Sequence, residues 1–369
     1  VLIEPFAADE TACAVERLSL PGAGAPVSDS LLLADHTTLR VGGPADRLVV
    51  ARTEAELIAA VGDCDLRGEP VLVVGGGSNL LVADEGFRGT VVVVATRGIS
   101  ADVSYCGGAA VKVAAGENWD DFVAESIRQE WSGIAALSGI PGSVGATPIQ
   151  NVGAYGSEVA QVVTSVRTWD RQDRTQRTFP LVDCGFAYRT SRFKQNPGRY
   201  LVLEVGYQFP LGDLDAPVAY AELARTLGVE VGTRVKGAAV REAVLGLRRG
   251  KGMVLDAADH DTWSAGSFFT NPILTEEEAG SLPTDAPRFP AGDGLVKSSA
   301  AWLIQHAGFG KGFGAGAAGL STKHVLALTN RGGASAADLV ELAREVRDGV
   351  AERFGVNLDP EVNLVGTSL

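Results

Sequence analysis

The sequence predicts a mixed α+β chain, on three observations. β-branched strand patterns are interspersed with amphipathic helical ones along most of the length. A strand, a glycine loop and a second strand follow one another over residues 70–96. Residues 131–157, WSGIAALSGIPGSVGATPIQNVGAYGS, carry no charged side chain in a chain that is 21% charged. At 369 residues the chain can bury two or three separate cores.

In chain order, the first 30 residues read as a loose extension. Its acidic residues stand where a secretory leader would carry basic ones, which points to the cytoplasm. A turn-rich entry and short strand occupy 36–51. Thr53 and Glu56 then form a capping-box pattern before a helix with Leu57, Ile58 and Val61 on its apolar face. VKVAAG (111–116) predicts a strand, and Asn118 to Trp131 an amphipathic helix with Trp119, Phe122, Val123 and Ile127 inward. Residues 162–171 and 200–209 read as strands of one sheet. FPLGDLDAP (209–217) marks a boundary, followed by helical patterns at 220–227 and 235–249, the latter ending in a basic turn that suits a helix C-terminus. The Pro- and acid-rich 275–294 predicts a solvated loop, 300–308 a short buried helix and 323–330 a strand. Ser335 caps a long helix burying Leu339, Val346, Val350 and Phe354 and stopping at Gly355, and a strand closes the chain.

A net charge of -13 argues against nucleic-acid and anionic-membrane surfaces, which require clustered Lys and Arg. Cys13, Cys64, Cys106 and Cys184 lack metal-ligand spacing and suit a reducing compartment. His36, His260, His306 and His324 are dispersed and read as structural. No GxSxG or HExxH occurs.

The uncharged stretch is too rich in Gly, Pro, Gln and Asn for a membrane helix. It reads either as a buried irregular wall whose successive N–H groups cradle a phosphate-bearing cofactor, or as a glycine-rich buried turn. GGGSNLL (75–81), entered directly from a strand, has the better phosphate context; a wide β-turn is its alternative. The formal GxGxxG at Gly314, Gly316 and Gly319 precedes a strand-like segment rather than a helix, so it reads as a flexible loop. Tyr155, Arg189, Ser267, Asn271 and Glu361 are polar residues in apolar or glycine-rich settings, odd choices for a plain core.

Taken together, GGGSNLL (75–81), LSGIPGSVGATPIQNVGAYG (137–156), YRTSRFK (188–194), GSFFTNP (266–272) and PEVNLVG (360–366) resemble the UDP-N-acetylenolpyruvoylglucosamine reductases of bacterial cell-wall synthesis. The resemblance implies a two-part FAD-binding module of the vanillyl-alcohol-oxidase (PCMH) type plus an α/β substrate domain. The implied limits are an extension over 1–30, the FAD module over 31–210 with lobes at 31–97 and 98–210, a substrate domain over 211–330, and a C-terminal helix and strand over 331–369. It implies non-covalent FAD, NADPH as hydride donor and UDP-N-acetylglucosamine enolpyruvate as substrate. Arg189, Ser267 and Glu361 match the catalytic arginine, proton donor and glutamate, with Arg192 the competing arginine. Gly75, Gly76, Gly77, Ser78, Asn79, Leu80, Ser138, Gly139, Ile140, Pro141, Gly145, Ala146, Gln150, Asn151, Gly153 and Ala154 would surround the cofactor. Tyr155, Tyr220, Lys251 and Asn271 would bind substrate. No metal is implied, and the chain is expected to be a cytoplasmic monomer without nucleic-acid or membrane partners. An FAD-dependent oxidase of the same cofactor fold and a non-catalytic nucleotide-sugar binder are the alternative functions. The long extension and the run at 310–319 depart from the family pattern and receive no role.

Overall fold

The computed structural model describes residues 14–22 and 27–369. Two compact units share the described residues discontinuously: residues 14–22, 51–65 and 94–245 form one, and residues 27–50, 66–93 and 246–369 the other. The change of unit at Val94 lies near the expected lobe boundary at 97. The boundary expected at 210 has no counterpart, since the first unit continues to Leu245.

The first unit is built on a six-stranded antiparallel sheet with spatial order Glu16–Leu20, Ile99–Ser104, Gly108–Ala114, Tyr200–Phe209, Val163–Asp170, Thr175–Pro180. The two strands expected to share a sheet, Val163–Asp170 and Tyr200–Phe209, are direct neighbours. Glu16–Leu20 corrects the expectation of a wholly loose extension: hydrogen-bonding to Ile99–Ser104 gives that segment an edge position. The rest of the extension up to residue 13, and residues 23–26, lie outside the described residues. Thr175–Pro180, a mostly exposed edge strand, has too little apolar alternation to stand out in sequence.

Helix Glu54–Arg67 starts as read, with Thr53 Oγ1 accepting from the Glu56 N–H at 3.2 Å and the Glu56 carboxylate accepting from the Thr53 N–H at 3.2 Å. Two arginines fasten it to the sheet: Arg167 Nη2 lies 2.6 Å from Glu54 and Arg171 Nη2 2.6 Å from Asp65. Helix Trp119–Arg128 is capped by Asn118, which accepts from the Asp121 N–H. It ends before Trp131 because Glu130 turns left-handed at φ 56°. Trp119, Phe122, Tyr207 and Phe209 make the aromatic centre of this unit. Ile127, expected inward, is only partly covered, while Ser126 is buried in the same turn.

In the second unit Val71–Val74 runs parallel to Phe87–Val94, which also neighbours Ala45–Ala51. Leu80–Val82 pairs in parallel with the terminal strand Asn363–Val365. The segment expected to be a solvated loop instead folds: Thr275 caps helix Glu276–Ser281 through a reciprocal bond with Glu278, and Arg288–Pro290 joins a three-stranded sheet. The predicted strand at 323–330 shrinks to Leu328–Asn330, paired with Ala318–Leu320. Helices Ala300–His306 and Ala336–Phe354 cover the core formed by Leu303, Ile304, Leu339, Val346 and Val350. No helix of the described residues is long and apolar enough to cross a membrane.

Candidate active site

The glycine loop leaves the carboxyl end of strand Val71–Val74, where ligands of parallel sheets are bound. Gly77 is left-handed at φ 60°, and a Cβ there would stand 1.7 Å from the His36 carbonyl oxygen, so no other residue fits without moving backbone. Its own carbonyl accepts from the Thr38 N–H at 3.2 Å. Asn79 Nδ2 then donates to the Glu361 carbonyl at 3.2 Å, and the Asn363 N–H donates to the Asn79 carbonyl at 3.0 Å. The sequence motif at the beginning of this unit is thus bonded to the one at its end.

The third motif of the unit joins them. The Glu361 N–H donates to the Phe268 carbonyl at 2.8 Å and the Thr270 N–H to the Asp359 carbonyl at 3.0 Å, around a bridge between Phe269 and Pro360. Phe268 and Phe269 are buried, which fixes the backbone on which the half-buried Ser267 is carried. Asn271, expected to touch substrate, uses its Oδ1 to accept the Ala300 N–H at 3.0 Å at the start of helix Ala300–His306. Lys251 stands in the turn that ends helix Gly237–Gly250, its N–H donating to the Arg248 carbonyl at 3.0 Å. Arg248, passed over in the sequence except as a helix-terminal charge, is buried there and donates through Nη2 to the Met253 carbonyl at 2.8 Å.

In the first unit the uncharged stretch is irregular, as its glycines and prolines predict, with short 3₁₀ turns at Ala135–Leu137 and Val144–Ala146. It is held from both sides by buried groups. The Asp215 carboxylate accepts the N–H groups of Gly133 and Ala135, and burial raises its pKa. Burial likewise raises that of Glu117, whose Oε1 accepts the Gly98 N–H at 2.6 Å and whose carbonyl accepts the Val144 N–H at 2.8 Å. The expectation of successive free N–H groups is corrected here. Gly139 donates to Asp120 at 2.5 Å, Gly145 to the Ala115 carbonyl at 2.8 Å and Ala146 to the Ser143 carbonyl at 3.0 Å. Ser138 is buried and donates its hydroxyl to the Ala135 carbonyl at 2.7 Å. Gly145 is a glycine for packing: a Cβ would lie 2.5 Å from that of Ala115.

Arg189 occupies a two-residue turn closed by reciprocal bonds between Ala187 and Thr190, with a left-handed φ of 52°. Its Nη2 donates to the Gly153 carbonyl at 3.0 Å. The competing Arg192 points elsewhere, donating to the Asp183 carbonyl. Tyr155, also left-handed at φ 51°, meets Tyr220 edge to face with centroids 5.8 Å apart, so two of the four expected substrate residues are neighbours. Tyr188, missed in the sequence, shares the turn with its ring 5.8 Å from the Arg189 guanidinium carbon and is 42% exposed. An aromatic next to the singled-out arginine was the available signal.

Comparison with known proteins bears on this arrangement. The profile of the UDP-N-acetylenolpyruvoylglucosamine reductase C-terminal domain matches residues 258–365, and that of an FAD-binding domain residues 45–178. A UDP-N-acetylenolpyruvoylglucosamine reductase of Cutibacterium acnes is 62% identical over 91% of this chain and 90% of its own length. The chain belongs to that reductase family. A reductase of Streptomyces avermitilis is 56% identical over 91% of this chain and 94% of its own. The crystal structure of the Thermus caldophilus reductase superposes with a TM-score of 0.62 at 26% identity, covering 96% of this chain and 99% of that one. The reductase fold is accordingly α+β, with an FAD-binding module of the expected type. The two profiles cover different parts of the reductase chain, and the singled-out Ser267 and Glu361 lie within the C-terminal one.

Proposed function

We propose that this chain is an FAD-dependent, NADPH-consuming oxidoreductase that reduces the enolpyruvyl group of UDP-N-acetylglucosamine enolpyruvate to the lactyl ether of UDP-N-acetylmuramate, a step of peptidoglycan precursor synthesis. The observation that carries the reading is the bond from the Glu361 N–H to the Phe268 carbonyl, which sets the Ser267 and Glu361 segments side by side, with Asn79 of the glycine loop donating to the carbonyl of the same Glu361. The residues fit the cofactor. The loop at the end of a parallel strand is a glycine loop in which Gly77 tolerates no Cβ, and the stretch suited to a neutral ring is uncharged and mostly buried or half-buried. Gly75 to Leu80 would hold it, with Ser138, Gly139, Ile140, Pro141, Gly145, Ala146, Gln150, Gly153 and Ala154 of the uncharged stretch; Asn151, expected among them, is taken up below. Because several N–H groups of that stretch are already bonded, its role is a wall, while the glycine loop takes the phosphates.

Bound FAD supplies hydride transfer from NADPH to the terminal vinyl carbon of the substrate. The chain's own residues manage the charge this creates. Hydride addition leaves an electron pair on the neighbouring carbon and its carboxylate. Arg189 stabilises that charge electrostatically, and Glu361 does so through a shared proton. Ser267 delivers its hydroxyl proton to the carbanionic carbon and is reprotonated from solvent. Tyr155, Tyr220, Lys251 and Asn271 bind the nucleotide sugar. By function rather than by compact unit, 31–210 serves the cofactor, 211–330 the substrate, and 331–369 brings Glu361. On this reading the chain works as a cytoplasmic monomer, in keeping with a net charge of -13 that disfavours polyanionic partners.

Ser267→Ala separates the two halves of the reaction. NADPH should bleach the bound flavin at the parent rate, while reduction of the enolpyruvyl substrate falls by about 10²-fold or more. Substrate turnover at the parent rate in that variant, or loss of flavin bleaching, would overturn the assignment.

A further inference from the structure

Asn151 was grouped with the cofactor residues, but its surroundings say otherwise. The side chain is 1% exposed, with the backbone left-handed at φ 46°. Nδ2 donates to Glu158 Oε2 at 2.8 Å and to the Ala187 carbonyl at 3.2 Å, while Oδ1 accepts the Ala160 N–H at 3.2 Å. An amide has two N–H donors, and both are committed to protein oxygens. The side chain has no donor left for a phosphate or a flavin oxygen.

What Asn151 grips is the base of the Arg189 turn. Ala187 is the residue whose N–H and carbonyl close that turn against Thr190, at 3.1 and 3.2 Å. Two further bonds join the same segments: Arg189 Nη2 to the Gly153 carbonyl at 3.0 Å, and Ser191 Oγ to the Ile149 carbonyl at 2.5 Å. Alternate residues of the uncharged stretch therefore hold the turn along its length: Asn151 before the tip at Ala187, Gly153 at the tip through Arg189, and Ile149 beyond it through Ser191. Lys194 Nζ adds a bond to the Arg189 carbonyl at 3.0 Å. A non-glycine residue in the left-handed region costs about 1 kcal/mol, and it persists only where neighbours over-determine it.

We propose that Asn151, buttressed by Glu158, is a positioning residue that sets the backbone turn and thereby the guanidinium of Arg189, and is not a ligand of the flavin. The inference rests on the reading of Arg189 as the catalytic arginine. Positioning matters at this site because a misplacement of about 1 Å in a reacting array costs about 10²-fold in rate.

The test uses the FAD-loaded full chain and three readouts: FAD affinity by flavin fluorescence, bleaching by NADPH, and reoxidation by UDP-N-acetylglucosamine enolpyruvate. Asn151→Gly keeps the left-handed backbone and removes all three side-chain bonds. It should leave FAD affinity and bleaching within about 2-fold and slow reoxidation by about 10- to 100-fold. Combined with Arg189→Ala, it should be no slower than Arg189→Ala alone, since both act through one group. If Asn151→Gly does not fold, Asn151→Asp, which keeps the acceptor for Ala160 and loses both donors, takes its place in the same cycle. A loss of FAD affinity with normal reoxidation of the loaded fraction would make Asn151 a flavin ligand, and fully multiplicative effects would make it independent of Arg189; either overturns the proposal. Normal reoxidation in Arg189→Ala by itself would instead show that the reading of Arg189 is wrong.

Discussion

Asp170, at the end of strand Val163–Asp170, has a fully buried carboxylate that accepts from Arg199 Nη2 at 2.8 Å and from Arg177 at 3.3 Å, and caps the N–H groups of Gln172 and Asp173. The Arg199 hydrogen bonds hold its pKa below the ordinary 3.8. A carboxyl whose folded pKa is depressed contributes stability above its unfolded value and loses it as pH falls through the folded one. Asp170→Asn should therefore cost about 2–3 kcal/mol near neutral pH. The gap in melting temperature between parent and variant should close as the pH is lowered below 3.8. Asp215 has the opposite sign: burial raises its pKa, so its charged form opposes folding as pH rises through that raised value. At this scale the sequence made polar residues in apolar motifs stand out, as with Arg189, Ser267 and Glu361, whose roles are the proposal made above. It was not legible at Gly139 or Asn151, because whether an N–H is free depends on partners such as Asp120 and Ala187 that only the fold brings near.

Helix Ala336–Phe354 shows how much of an element can be read from its ends. Ser335 accepts the Asp338 N–H, the Asp338 carboxylate accepts the Ser335 N–H at 2.8 Å, and Gly355 ends the helix at φ 70°. A second anion comes from outside the helix: both carboxylate oxygens of Asp84 accept N–H groups, from Ala336 at 2.8 Å and Ala337 at 3.0 Å. Ser335→Ala should cost about 1 kcal/mol, and Asp84→Ala about 2, since it strips two first-turn donors and a charge favourable to the helix dipole. Urea unfolding at neutral pH measures both; equal costs would show that Asp84 adds nothing beyond the cap. Capping boxes are local and were visible at Thr53 and Ser335. Helix Glu276–Ser281 was missed despite its own box, because the acidic and proline-rich surroundings of 275–294 read as solvated chain. Strands of three residues, such as Arg288–Pro290, owe their form to a partner rather than to their own pattern.

For the whole molecule, the compact units are not contiguous blocks of sequence. Three separate stretches make each compact unit, a topology that periodicity cannot report. Two truncations should behave differently. Among the described residues, a chain begun at Val27 loses 14–22, whose edge strand Glu16–Leu20 is largely exposed, and should melt within a few degrees of the parent. A chain ended at Gly355 loses the partner of Leu80–Val82 together with buried Val356, Leu358 and Val362. Three such side chains represent roughly 5–9 kcal/mol, comparable to the whole stability of a domain. That shorter chain should show no cooperative melting and bind no FAD; a cooperative transition would show that the second unit stands without its last strand.

The bond between Asn79 and Glu361 spans 282 positions. Translation proceeds from one end at about 5–20 residues per second, so the glycine loop is made early and its bonding partner roughly a quarter of a minute or more later. During that interval strand Leu80–Val82 has no partner for its parallel edge. The glycine loop thus acquires this bond only after the Glu361 segment has been made, so its final shape is a late event in the folding of its unit.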